Sequence, residues 1–410
     1  MIGSSQLQTE GMDFKLSFEK LLSEKSEPKD LLDFRKKAFS FLEKAEFPNP
    51  GLESWRKISL SNFKLDSFDK APSREAVKFS SENGSQITAL SELDSNRLKS
   101  VLSLAEPALQ AYKSEWTSLF TLSHFTHAYY IQLKEVQEEE PLPQICVSCN
   151  EGNFVLPLFI IEAPAMSKAR ILEEWISSSS DDFRWMNGVT ILRIRKGGHF
   201  QYATTESLGD STFRFRATHS VQEGDSRFHT SIATWGGYKG KSFYDAEVTG
   251  NGAWTRFAGI SPLRAKEYQD TEIRILHKAD HGNSSILFRV AAREKAHHVF
   301  TGNLHIPAGC KDVAAVQINN NLLLDRTARA ESIPKLEVFA DSVKCEHGAT
   351  VGEIDEEQLF YLASRGISEH EARRLIVEGF LGEVVREFPS EKLRNEIESV
   401  LETRMLEGLP

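Results

Sequence analysis

Ile191-Leu-Arg-Ile-Arg195 and Phe213-Arg-Phe-Arg216 mix apolar and basic residues at the two-residue period of a β-strand, whose successive side chains point to opposite faces. Each run predicts a strand with an apolar face and an arginine face. Outward from them the same texture recurs at 272–276, 285–290, 298–306, 314–318 and 336–340, punctuated by Gly, Asn and Asp. A long series of short strands implies a sandwich, a barrel or a solenoid. Tight Asn-Gly hairpin signals are missing between the runs except at Asn251-Gly252. Asn319-Asn-Asn321, before Leu322-Leu-Leu324, suits a turn between stacked coils whose amides bond along the stack. The alternation specifies an all-β core, and the turn chemistry adds a preference for a parallel β-helix.

Helical patterns flank this core. Leu31, Phe34, Ala38, Phe41, Leu42 and Ala45 share one helical face, and Phe47-Pro-Asn-Pro-Gly51 ends the helix. Residues 61–95 read as loop, and 91–127 as a second helical stretch broken near Pro107. After the core, Asp355 with Gln358 resembles a helix cap, Arg365-Gly366 a helix end, and Ser368-Glu-His-Glu371 a capping box. Ala372, Leu375, Ile376, Gly379, Phe380, Val384 and Phe388 then form an apolar stripe. Pro389-Ser390 opens a third helix carrying Leu393, Ile397, Val400 and Leu401. The expected organisation is a helical region at 1–140, a β core at 141–352 and a helical domain at 353–410. So small a helical unit must pack on the β core or on a partner.

The 410 residues carry a formal net charge of −10, 40% hydrophobic and 26% charged residues. That balance argues against broad binding to nucleic acid or anionic membranes. No apolar run approaches the ~20 residues that span a bilayer. Residues 1–10 lack the basic and apolar regions of a secretory signal, so a cytoplasmic location is expected. Four cysteines, Cys146, Cys149, Cys310 and Cys345, are too few for a secreted disulfide framework.

The most distinctive chemistry lies in Ala340-Asp-Ser-Val-Lys-Cys-Glu-His-Gly-Ala-Thr-Val-Gly352. On a strand, Cys345 and His347 point to one face, and a thiol beside an imidazole is half of a zinc or iron site. A closed structural site needs about four ligands, so the pair alone is incomplete. Cys146-Val-Ser-Cys149 has redox or half-zinc spacing but no second pair, and reads as two ordinary thiols; Cys310 reads as a structural turn residue. His297 and His298 should face opposite ways, while His277 and His281 fall at a strand end and turn. No Gly-x-x-x-x-Gly-Lys-Ser/Thr loop is present, so the chain is not expected to hydrolyse ATP or to be an enzyme.

Gln317-Ile-Asn-Asn-Asn-Leu-Leu-Leu-Asp325, Lys335-Leu-Glu-Val-Phe-Ala-Asp341 and Lys344-Cys-Glu-His-Gly-Ala-Thr-Val-Gly352 form one long ordered string, continued by Ile354-Asp-Glu-Glu-Gln-Leu-Phe-Tyr-Leu-Ala-Ser-Arg-Gly-Ile367. It resembles the C-terminal signature of the SufB/SufD family of iron–sulfur cluster assembly proteins across residues 313–385. Glu53-Ser-Trp-Arg56 adds a weaker likeness to the family's N-terminal element. Gly348 after the histidine, and the absence of cysteine in Gly379-Phe-Leu-Gly382, are similar to the SufD type and unlike the SufB type. The resemblance implies a central right-handed parallel β-helix between an N-terminal helical region and a C-terminal helical domain. It also implies a scaffold that pairs with SufB and binds the ATPase SufC through its C-terminal helices. Cys345 and His347 would then contribute to a transient iron or iron–sulfur site shared with the partner, with no cofactor stably bound by the isolated chain. Leu359, Phe360, Leu375, Ile376 and Phe380 are the candidate SufC contacts. Two alternatives accompany this reading: a SufB-like scaffold that forms a homodimer with SufC, and a β-helix carbohydrate-active enzyme.

Overall fold

The computed structural model describes residues 18–19, 21–23, 26–65, 75–80, 84–136, 141–150 and 153–406. From Pro157–Ala163 to Val343–Glu353, successive strands fall alternately in a ten-stranded and a nine-stranded sheet, and all pair in parallel. This is a two-sheet parallel β-solenoid. Tyr268 pairs with His297 and His297 with Arg329, so each strand lies beside the strand one coil earlier. The strands are longer than their sequence runs: 272–276 extends to Tyr268–His277 and 314–318 to Val313–Leu323.

Two faces of each sheet give three cores. The solenoid interior holds residues such as Phe159, Ile171, Phe200, Phe228, Tyr244, Phe257, Phe288 and Leu304. The outer face of the ten-stranded sheet lies under the N-terminal helices, joining Phe213 and Phe215 to Trp55, Leu109, Trp116 and Phe120. The outer face of the other sheet, with Ala203, Ala258 and Leu287, is covered by C-terminal helices. Helix α1 (Lys29–Leu42), α2 (Ser95–Ala111) and α3 (Trp116–His124) form the first cover. Helix α4 (Glu356–Ser364), α5 (Glu369–Val385) and α6 (Glu391–Leu401) form the second.

The two-faced pattern of Phe213-Arg-Phe-Arg216 holds, with its apolar face turned outward. Phe213 and Phe215 face out beneath the helices, whereas Arg214 and Arg216 face into the solenoid. The phenylalanines pack under the N-terminal helices, and the arginines are neutralised inside. Arg214 Nε lies 2.8 Å from Glu206 Oε2, and Arg216 Nη2 2.8 Å from Glu173 Oε1. Gly240, one coil on, leaves room for the Arg214 guanidinium, which a Cβ there would meet at 2.7 Å.

The corrections are local. Helix α2 runs through Pro107, because its buried face (Leu98, Val101, Ala105, Ala108, Leu109) outweighs one lost backbone bond; the break comes at 112–115. The stretch read as loop at 61–95 contains strands Val77–Ser80 and Gln86–Ala89, and its residues 66–74 and 81–83 lie outside the described residues. Asn319-Asn-Asn321 is not a turn but part of Val313–Leu323. Its amides do bond along the stack: Asn319 Nδ2 donates to the Phe288 carbonyl one coil back, and Asn321 Nδ2 to the Thr350 carbonyl one coil forward. No helix among the described residues is long and apolar enough to cross a membrane.

Candidate functional site

The two ends of the solenoid differ. At the N-terminal end, Val77–Ser80 pairs antiparallel with Gln144–Ser148, and Gln86–Ala89 antiparallel with His127–Gln132. These short strands are the outermost of both sheets at that end. At the other end Arg329–Val338 and Val343–Glu353 are the outermost strands, and each exposes an unpaired edge. Such an edge is a template for another chain.

Cys345 and His347 lie on Val343–Glu353, as the alternation requires. Cys345 pairs in register with Ala315, and His347 with Gln317, both buried inward residues of the preceding coil. Their side chains therefore share the inward face, about 6.6 Å apart along the strand. Cys345 is half-buried and packs with Val343 against the interior core, whereas His347 is exposed. Burial pushes the Cys345 thiol up, which favours the protonated form until a metal or a partner draws the proton off. Beside them, inward-facing Val351 is 48% and Leu336 36% exposed, so an apolar rim stands in solvent at the mouth.

Gln317 was not singled out by sequence. It is 1% exposed and its Oε1 has no hydrogen-bond partner. Its carboxamide crosses to the opposite sheet and lies on Gly302, where a Cβ would come within 2.4 Å. A glutamine one coil before the histidine, opposite a glycine, is a signal legible only once register is known. Among the described residues, no group of three or more His, Cys, Asp or Glu is placed to hold a metal. Cys345 and His347 thus offer two donors, and a complete set needs ligands from elsewhere.

Cys146 and Cys149 are placed apart from this end, and Cys310 lies in the turn one coil before it. Cys146 pairs in register with Lys78 and Glu174 near the N-terminal end, Cys149 is buried in the interior core, and Cys310 has its Sγ 3.8 Å from the His277 carbonyl. His298 faces inward and is buried, while His297 faces outward to Glu331 at 3.1 Å. His277 ends its strand, and His281 occupies a turn at φ 56.

Of the five candidate docking residues, Leu359 is 6% exposed and belongs to the core under the C-terminal helices. Ile376 and Phe380 are half-buried against that core, with Arg289 over the Phe380 ring at 5.1 Å. Phe360 is 77% and Leu375 42% exposed, next to Tyr361 at 57%. Helix α5 buries Val377 and Leu381 in place of Leu375, a rotation of the expected stripe.

A cleft of about 430 Å³ between 52–57, 111–116 and the outer sheet face carries Lys241, Asp245, Asp270, Glu272 and Arg274. The three acids of the sheet face are paired with cations: Lys241 Nζ is 2.9 Å from Asp270 and 3.3 Å from Glu272, and Arg274 Nε 2.6 Å from Asp245.

The structure is a two-sheet parallel β-solenoid with a thiol and an imidazole on its last strand. The family model described as "SUF system FeS cluster assembly, SufBD core domain" matches residues 146–380. The chain belongs to this SufBD family. It is 27% identical to the iron–sulfur cluster assembly protein SufD of Escherichia coli over 232 residues, 56% of this chain and 54% of that protein. To SufD of Bacillus subtilis it is 25% identical over 273 residues, 66% and 62% of the two chains. A SufBD family protein of Synechocystis is 32% identical over 152 residues, 37% and 34% of the two chains. These alignments leave between about two-fifths and two-thirds of each relative unmatched.

Proposed function

We propose that this chain acts in iron–sulfur cluster assembly as a SufD-type scaffold: its open end pairs with a SufB-type partner, and its C-terminal helices carry a SufC-type ATPase. The observation that carries the reading is the asymmetry of the ends. One pair of sheet edges is formed by short antiparallel strands, and the other is left open with apolar side chains in solvent. Cys345 and His347 sit on the inward face of the last strand, so a partner adding its own strand would bring further ligands to them. Iron or a nascent cluster is cargo here. Soft thiolate and imidazole both suit iron, and two donors hold it only while the partner supplies the rest. The exposed Phe360, Tyr361 and Leu375 form the side of the C-terminal helices open to the ATPase.

The test is anaerobic co-purification with the SufB-type and SufC-type proteins of the same organism. Deleting 355–388 would strip the core residues Leu359, Ala372, Val377 and Leu381, so the contact is better probed by F360S/L375S. That variant is expected to lose the ATPase and keep the SufB-type partner. C345A/H347A is expected to keep both proteins and to lose cluster delivery. Absence of any association with the ATPase, with or without nucleotide, overturns the scaffold reading.

A further inference from the structure

The turns that lead from the nine-stranded into the ten-stranded sheet stack on one edge of the solenoid. Their acidic residues are tied into the turns themselves. Glu294 Oε2 accepts from Ala265 N at 2.8 Å, and Asp325 Oδ2 from Glu294 N at 2.5 Å. Glu267 Oε2 accepts from Arg264 N and Gly236 N, both at 3.3 Å, while its Oε1 takes Arg404. Ala265 and Glu294 hold left-handed φ of 57° and 58°, which these bonds help to fix.

Three basic residues of the same turns have no such role. Lys266, Lys295 and Arg326 occupy successive turns, about 4.8 Å apart per coil. They are exposed, and their side chains make no hydrogen bond or ion pair with described residues. Below them the first residues of four successive strands, Lys239, Tyr268, His297 and Arg329, run in register. Together they line a shallow pocket of about 570 Å³ in which Glu267 is the single acid. Lys239 and Tyr268 are pinned from behind, by Lys239 Nζ to the Ser59 carbonyl and Tyr268 Oη to the Lys57 carbonyl at 2.6 Å.

We propose that this edge is a binding site for an oligophosphate, with Lys266, Lys295, Arg326 and Arg329 gripping a chain of two or three phosphoryl groups above the Tyr268–His297 floor. Stacked cations repel one another, and an anion threaded along the stack relieves each repulsion at once. A row with one cation per coil suits a linear polyanion better than a single compact one. A concave floor favours a small ligand over the flat face of a protein. The shared chemistry is the phosphate chain, whether it is free inorganic oligophosphate or part of a nucleotide.

The full chain is titrated by calorimetry with inorganic pyrophosphate, inorganic tripolyphosphate, ATP and an oligo-glutamate peptide, at low and physiological salt. Saturable binding of the phosphates that weakens at least tenfold in K266A/K295A/R326A is expected, while the control K311A binds as the wild type does. Circular dichroism and the urea midpoint confirm that the triple variant stays folded. Tighter ATP than tripolyphosphate identifies a nucleotide as the source; equal affinities identify the free chain. Phosphate binding that is absent at physiological salt, is unchanged in the triple variant, or is weaker than that of the peptide overturns the assignment.

Discussion

Arg216 shows how much one side chain can decide. Fully buried, it meets Glu173 at 2.8 Å and Glu206 at 3.4 Å, with hydrogen bonds to Thr204 and Tyr202. Replacing it by methionine leaves Glu173 buried without a cation, while Glu206 keeps Arg214 at 2.8 Å, and breaking such a buried pair costs about 3–5 kcal/mol. Urea unfolding of Arg216→Met is expected to show that loss, and adding Glu173→Gln to recover part of it. Histidines give a second test at this scale. Burial lowers His277 to about 4 and His298 to about 3, below the unfolded value near 6.5. The unfolded chain therefore binds protons that the folded one refuses. Their contribution is complete above about pH 6.5 and is lost as pH falls, by about 1 kcal/mol per histidine at pH 5.5. The urea midpoint is expected to drop between pH 7.5 and 5.5, and less steeply in His277→Gln.

Residue identity was also where the sequence was least transparent. Alternation correctly places Cys345 and His347 on one face, because a period of two holds along any strand. It could not tell which face is inside. Both faces of this sheet are buried, so Phe213 and Arg214 compete for the interior, and the acids that settle the contest, Glu206 and Glu173, lie on other strands. Gln317 escaped notice for the same reason: its neighbours His347 and Gly302 become neighbours only through register.

At the scale of elements, local chemistry was readable wherever a cap or a break is local. Ser368 Oγ accepts from Glu371 N at 3.3 Å, Ser390 Oγ from Leu393 N at 3.3 Å, and Gly366 takes φ 84 after α4. The asparagine run misled because polar residues in sequence look like a turn, whereas here they lie inside a strand, with Asn321 Nδ2 donating to Asn319 Oδ1 at 2.9 Å. The α5 stripe was misjudged by one rotation, and this gives a prediction. Leu381→Ala, at a site with no exposure, is expected to cost about 2–5 kcal/mol, while Phe360→Ser should shift stability by no more than about 0.5 kcal/mol. Chemical denaturation of the two variants separates core from docking surface before any partner is added.

For the molecule as a whole, three cores on one two-sheet frame make each part depend on the solenoid. The N-terminal and C-terminal helices cover opposite sheets. The last coil leaves apolar side chains in solvent, among them Leu336 and Val351 on its rim. Val351→Lys places a charge on that rim without touching the interior packing of earlier coils. It is expected to abolish capture of the SufB-type partner in co-purification, to reduce any self-association seen by sedimentation, and to leave the urea midpoint unchanged.

The antiparallel strands at the far end have a consequence for stoichiometry. Parallel coils with two live edges could add subunits at both ends and grow into a fibre. Here one end is already terminated by Val77–Ser80 and Gln86–Ala89. The outer edges at that end belong to strands of only four residues, against ten and eleven at the mouth. Strand addition is therefore favoured at the mouth, and the short far edges disfavour growth beyond two chains.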